Sequence, residues 1–173
     1  GEFHEALNLS VLWNTPTIFF CENNLYGMGV PFHASLSTDI PKLAAAYNMP
    51  AVSVDGMDVL AVHDATRKAV EHARSGKGPY FIEAMTYRYR GHSMADPELY
   101  RERAEVELWR ERGQLHTFTD RLKAEKVFSE ADFQRIDAEV ADEIRAALEF
   151  ADTSPLEPVE DLLRDVHTPQ ASA

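Results

Sequence analysis

The sequence has a single cysteine, Cys21, among 173 residues. One thiol excludes an internal disulfide framework and suits a reducing compartment. Set in an apolar run, Cys21 reads as a buried structural group. The sequence also lacks any apolar stretch approaching the roughly 18 residues that a membrane span requires. The longest candidate, Thr17-Ile18-Phe19-Phe20-Cys21, has the length of a strand. The chain opens on Gly1 and passes at once into an amphipathic helical pattern, without the basic start and apolar core of a secretory leader; it reads as a fragment or a processed piece. A basic surplus is missing too. The formal net charge is −12, with 11 acids and 7 bases in residues 1–100 and 18 acids and 10 bases in residues 101–173. Such a field draws in neither nucleic acid nor an anionic membrane. There is no zinc-like spacing of His, Cys and carboxylates, no Ser-centred elbow and no Walker-type loop. What is present, 45% hydrophobic and 27% charged residues, is the balance of a globular domain.

Periodicity divides the chain in two. Glu2 to Trp13 has Phe3, Ala6, Leu7 and Val11 at helical spacing, and Pro16 follows as a stop. Thr17 to Cys21 is a continuous β-rich run, the pattern of a strand buried on both faces. Asp39 is placed to cap a helix running to Tyr47, with Pro41 in its first turn. Ala51 to Val54 forms a short strand broken by Asp55-Gly56. Asp58 to Arg74 is an amphipathic helix with Leu60, Ala61, Ala65, Val70 and Ala73 inward, ended by Ser75-Gly76-Lys77-Gly78-Pro79. Tyr80 to Thr86 is a further apolar strand. Helix alternating with strand predicts an α/β fold with a parallel sheet flanked by helices. Residues 88–103 have no period and read as a long surface loop. Beyond Ala104 the pattern is helical and charged. Ser129 to Asp132 forms a capping signal for a helix to about Asp152 with Phe133, Ile136, Val140, Ile144, Ala147 and Leu148 on one face, a stripe suited to core or subunit contact. Pro155 and Pro158 break it, and a last short helix is expected around Glu160–Val166. The expected division is residues 1–103 as an α/β domain and 104–173 as a C-terminal helical extension packing on it and on partner subunits.

In a sheet of this kind ligands bind outside the carboxyl ends of the strands, and two loops there carry chemistry. Glu22-Asn23-Asn24-Leu25-Tyr26-Gly27 offers amide and main-chain oxygens, hard ligands suited to Mg2+ or Ca2+. The same residues also read as a plain turn, because Asn tolerates left-handed backbone. Tyr87-Arg88-Tyr89-Arg90-Gly91-His92-Ser93-Met94-Ala95-Asp96-Pro97 gathers two arginines and a histidine in an acidic protein. Arginine grips phosphate oxygens in pairs, and His92 can donate to an anion or move a proton. A solvated loop with its arginines paired to nearby acids is the competing reading. His4, His63, His72, His116 and His167 lie in helical or tail contexts and are assigned to surface or core.

Taken in order, Glu22 to Gly29, then Val54-Asp55-Gly56-Met57-Asp58-Val59, then Tyr87 to Pro97 resemble the alpha subunit of the thiamine-diphosphate-dependent pyruvate dehydrogenase family, with similarity running from Gly1 to about Asp152. The resemblance implies the thiamine-diphosphate-binding fold, an alpha2-beta2 heterotetramer with a beta subunit, and thiamine diphosphate held at the subunit interface through Mg2+. It implies that the Asn24 side chain and the Tyr26 main-chain carbonyl are Mg2+ ligands. Gly27, Arg88 and His92 would lie at the cofactor, with His92 as the catalytic candidate. Ser93 matches a serine that is phosphorylated for regulation in mammalian members. The family motif begins with Gly-Asp-Gly, and that half would lie upstream of Gly1. The implied reaction is decarboxylation of pyruvate and transfer of the two-carbon unit to the lipoyl domain of an acyltransferase component, with no nucleic acid or membrane partner, in a bacterial cytoplasm or a mitochondrial matrix. The 173-residue piece alone is expected to be inactive. An acetoin or branched-chain 2-oxo acid dehydrogenase alpha subunit, or a non-catalytic α/β interaction module, remains an alternative.

Overall fold

The computed structural model describes residues 1–164. Two compact units divide between Glu125 and Lys126. The first holds a three-stranded sheet in the order β1-β5-β4, built from β1 (Ile18–Asn23), β4 (Ala51–Asp55) and β5 (Tyr80–Met85). Both pairings are parallel, and Asn23 and Asp55 both lie opposite Met85. The predicted α/β class is therefore present, with its three strands in the predicted places. Between β1 and β4 the chain forms a small hairpin, β2 (Tyr26–Gly27) with β3 (Val30–Pro31), and two short helices, α2 (Phe32–Ser35) and α3 (Ile40–Ala45). The hairpin lies in the segment read as loop, and α3 stops before Tyr47.

Packing explains where the sequence pattern succeeds and where it misleads. Helix α1 (Glu2–Leu12) drops Leu7 into a core with Ala44, Met49 and Phe81. Helix α4 (Val59–Arg74) buries Ala65, Ala69 and Ala73, every fourth residue, a stripe of small side chains that lets the helix lie close to the sheet. Leu60, expected inward, is exposed because it sits in the first turn, where Asp58 caps the helix by accepting from the Leu60 and Ala61 amides. Asp39 stands at the start of α3 but binds Lys42 at 2.6 Å instead of capping. Central strand β5 is buried along Phe81 to Ala84. Strand β1 is not buried on both faces as its apolar run suggested: it is an edge strand, Phe20 is 46% exposed, and Cys21 is only half-buried. Burial pushes the Cys21 thiol pKa up, with the Glu83 carboxylate adding to the effect.

After β5 no helix or strand forms until α5 (Arg103–Glu111), followed by α6 (Gln114–Ala124). In the second unit, α7 (Glu130–Thr153) starts at a complete capping box of Ser129 and Asp132, worth about 1 kcal/mol. Its stripe is not core within this unit: Ile136, Val140, Ile144 and Leu148 are exposed, while Phe133 is half-buried. A 3-10 helix spans Val159–Leu163, the described part of the predicted last helix; Val166 and His167 lie outside the described residues. No helix among the described residues is long and apolar enough to cross a membrane.

Leu7→Ala is expected to cost about 2–5 kcal/mol, the range for emptying a fully buried leucine site. Denaturant unfolding of the full chain measures it.

Candidate functional site

Parallel strands place the two chemistry-bearing loops side by side. The Thr86 amide donates to the Asn23 carbonyl at 2.9 Å, and the Arg88 amide to the Asn24 carbonyl at 3.2 Å. The loop after β1 and the loop after β5 are thus joined through main chain before any side chain is considered.

The first loop is held by its own asparagines. Asn23 is buried; its amide donates to the buried Glu83 carboxylate at 2.9 Å, and its oxygen accepts from the Leu25 amide at 3.1 Å. Asn24 Oδ1 accepts from the Tyr26 amide at 3.2 Å. The turn that Asn favours is therefore present, and it does not exclude a metal role: an amide oxygen has a second lone pair. Leu25 sits at φ 70, uncommon for a branched side chain; the Asn23 side chain and a 2.8 Å bond from the Phe32 amide to its carbonyl hold it there. A Cβ at Gly27 would meet nothing within 4 Å. The loop borders a depression of about 300 Å³ lined by Asn23, Asn24, Tyr26 and Gly27 among others.

The second loop is laced rather than free. Arg88 donates from Nε to the Arg90 carbonyl at 3.2 Å and meets His92 Nδ1 at 3.1 Å. A guanidinium only donates, so Nδ1 accepts and the His92 proton stands on Nε2. Among the described residues Arg88 forms no ion pair, and His92 is exposed. The reading in which the loop arginines are neutralised by nearby acids fails for Arg88. Asp96 turns inward, accepting from the Glu98 and His92 amides at 2.9 Å each and from the Tyr100 hydroxyl at 2.9 Å; those bonds, the Glu98 amide foremost, hold its carboxyl below the usual range. Ser93 is exposed, and its hydroxyl accepts from the Ala95 amide at 3.3 Å.

Below the loops lies a polar cluster that sequence reading missed. Arg101 has a side chain only 1% exposed. It donates to the Arg88 and Tyr89 carbonyls and to Glu98, with its guanidinium 5.5 Å from the Tyr26 and Tyr87 ring centres and 5.8 Å from that of Tyr100. Glu105 Oε1 accepts from the Tyr26 hydroxyl at 2.8 Å and the Tyr87 hydroxyl at 2.9 Å. Burial, reinforced by Glu105, pushes the Tyr87 hydroxyl up to about 12. Only the run of tyrosines between charged residues hinted at this cluster; Glu83, alone in an apolar strand, was the comparable sign for Asn23.

Neutral oxygens from Asn24 and Tyr26, beside a cationic Arg88, suit a divalent cation that takes its remaining ligands from phosphate and from groups beyond these residues. No group of three or more His, Cys, Asp or Glu side chains gathers to hold a metal among the described residues. Comparison with known proteins adds to this. A family model described as the dehydrogenase E1 component matches residues 1–160. The chain is 44% identical over 165 residues to the testis-specific mitochondrial pyruvate dehydrogenase E1 component subunit alpha of Rattus norvegicus, covering 94% of this chain and 42% of that protein. It is 42% identical over 165 residues to the pyruvate dehydrogenase E1 component subunit alpha of Porphyra purpurea, covering 95% and 48%. It is 43% identical over 169 residues to the alpha subunit of acetoin:2,6-dichlorophenolindophenol oxidoreductase of Bacillus subtilis strain 168, covering 96% and 50%. The chain spans half or less of the length of these relatives.

The raised Tyr87 pKa gives a pH test. The neutral phenol is the favoured form, so its contribution to stability is complete below the ordinary value of 10 and is lost as pH rises through about 12. Tyr26 and Tyr100 are raised as well, so ultraviolet titration is expected to show several late phenolates, with one fewer in Tyr87→Phe, and stability is expected to fall across that window less steeply in the variant.

Proposed function

Because this chain belongs to the dehydrogenase E1 component family, we propose that it is the cofactor-anchoring part of a pyruvate dehydrogenase alpha subunit. The observation that carries the reading is the joining of an oxygen-donor loop to a loop whose Arg88 has no acidic partner among the described residues. In this reading Asn24 Oδ1 and the Tyr26 carbonyl hold Mg2+. Arg88 and the Nε2 proton of His92 face the diphosphate, and Gly27 leaves room for it. Thiamine diphosphate, once bound, supplies the electron sink for removal of CO2 from a 2-oxo acid. The residues of this chain place and neutralise the diphosphate, and His92, exposed at the rim, is the group available to a lipoyl domain for proton transfer. A beta subunit completes an alpha2-beta2 enzyme. Within the helical extension, the exposed apolar stripe of α7 supports subunit contact. The setting is a bacterial cytoplasm or a mitochondrial matrix.

The 43% identity to the acetoin enzyme's alpha subunit favours a second reading, an acetoin dehydrogenase alpha subunit. Turnover of pyruvate, acetoin and 2-oxoisovalerate by the complete enzyme separates the substrates. Asn24→Ala in that enzyme is expected to weaken uptake of thiamine diphosphate with Mg2+ by more than about tenfold, roughly 1.4 kcal/mol or more, in a calorimetric titration. Unchanged affinity rejects the metal assignment, and absence of any uptake by the parent enzyme favours a non-catalytic module.

A further inference from the structure

We propose that Arg101 and Glu105 are positioning residues that lock the oxygen-donor loop and the Arg88–His92 loop into one preformed face; the proposal rests on the cofactor reading above. A buried guanidinium must find acceptors for its N–H groups. Arg101 finds them on both sides of His92: the Arg88 and Tyr89 carbonyls before it, and after it Glu98, whose other oxygen accepts from the Gly91 amide at 3.0 Å. One side chain therefore fixes both ends of the segment that carries the exposed histidine. Glu105 does the complementary work across the gap. Its single oxygen Oε1 takes the hydroxyl of Tyr26, from the oxygen-donor loop, and that of Tyr87, from the end of β5. The rings of those tyrosines meet edge to face, 6.0 Å between centres, beneath the Arg101 cation.

Their hydrogen-bond partners lie on the two loops and the chain that follows the strand ends. Holding the loops in place before a ligand arrives removes the ordering cost from binding. Lysine keeps the charge of Arg101 but offers a point donor without the fork, so it cannot span two carbonyls and a carboxylate. Glutamine at 105 keeps an acceptor oxygen, whereas leucine removes it.

The test uses the full alpha chain assembled with its beta chain. Thiamine diphosphate with Mg2+ is titrated by calorimetry, and amide exchange at Gly91 and His92 is followed without cofactor. Arg101→Lys and Glu105→Leu are expected to weaken cofactor binding about 10–100-fold, the usual range for groups that orient ligands, while Glu105→Gln stays within about threefold of the parent. Arg101→Lys is expected to speed exchange at both amides, and its effect on affinity should be less than additive with Arg88→Ala. Parent-like affinity in both Arg101→Lys and Glu105→Leu overturns the positioning role, as does a fall in thermal midpoint with cofactor affinity intact. Should Arg101→Lys fail to assemble, the Glu105→Gln and Glu105→Leu pair decides: equal losses reject the proposal. A parent assembly that takes up no cofactor overturns the cofactor reading itself, a result distinct from parent binding that the variants leave unchanged.

Discussion

Parallel pairing of β1 with β5 is the constraint on which the site depends. Two parallel neighbours end at the same edge of a sheet, and the register sets Asn23 opposite Met85. The next residues along each strand are then the Asn24 loop and the Thr86–Arg88 loop, close enough to share main-chain hydrogen bonds. An antiparallel pair of six-residue strands would part them by a strand length, about 17–20 Å. The crossover through α4 sets β4 parallel to β5, and the alanine stripe of α4 lets that helix lie against the sheet without lifting it. Strand β4 ends at the same level, and its Gly56 shows how tight the edge is: a Cβ there would stand 2.6 Å from Thr86 and 2.8 Å from the Met85 carbonyl.

Charge is sorted at that edge in a way the overall field does not foretell. The chain carries a formal charge of −12, yet the acids of the 88–101 segment are engaged by donors of that same segment. Glu98 is committed to Arg101 and the Gly91 amide, and Asp96 to two amides and a tyrosine hydroxyl. Both carboxyls are held below their usual range by these donors, Asp96 chiefly by the Glu98 amide and Glu98 chiefly by Arg101. They are ionised at neutral pH and occupied. Arg88 is left with a carbonyl and an imidazole for partners, so its charge is available to an outside anion. A cluster of Arg, His, Asp and Glu in sequence thereby becomes an arrangement in which Arg101 is buried against the acids while Arg88 keeps neutral partners.

The sheet was legible in the sequence because parallel strands leave continuous apolar runs, and Thr17–Cys21, Ala51–Val54 and Tyr80–Thr86 are such runs. The faces were less legible. The run at β1 implied cover on both sides, but cover is a property of neighbours, and Phe20 is left 46% exposed among the described residues. The α7 stripe was equally plain as a pattern and equally silent about what it meets. In the candidate site, Asn24, Tyr26, Arg88 and His92 stood out because each belongs to a short local motif. Arg101 and Glu105 did not, since their partners come from positions 26, 87, 88, 89 and 98, and no local window joins them all. A buried arginine cannot be told from a solvated one without the three tyrosines that surround it.

Backbone strain bears on the same two loops by a separate route. Six non-glycine residues among those described have positive φ: Asn14, Leu25, Met28, Asn48, Glu98 and Lys126. Asn14, Asn48 and Lys126 follow the ends of α1, α3 and α6, where a left-handed residue is the ordinary way to finish a helix. Met28 opens the two-residue turn between β2 and β3, where positive φ is ordinary hairpin geometry. Leu25 and Glu98 have neither reason, and they lie in the loops that leave β1 and β5. Conformations of this kind cost of order 1–3 kcal/mol and persist only where the surroundings over-determine them. Leu25 is bound through its own amide and carbonyl. Glu98 is bound through its amide to Asp96 and through its carboxylate to Arg101. A turn selected only for closing the chain could take glycine at Leu25 or Glu98 and relax. These positions instead keep a large or charged side chain in strained backbone, each held by several hydrogen bonds.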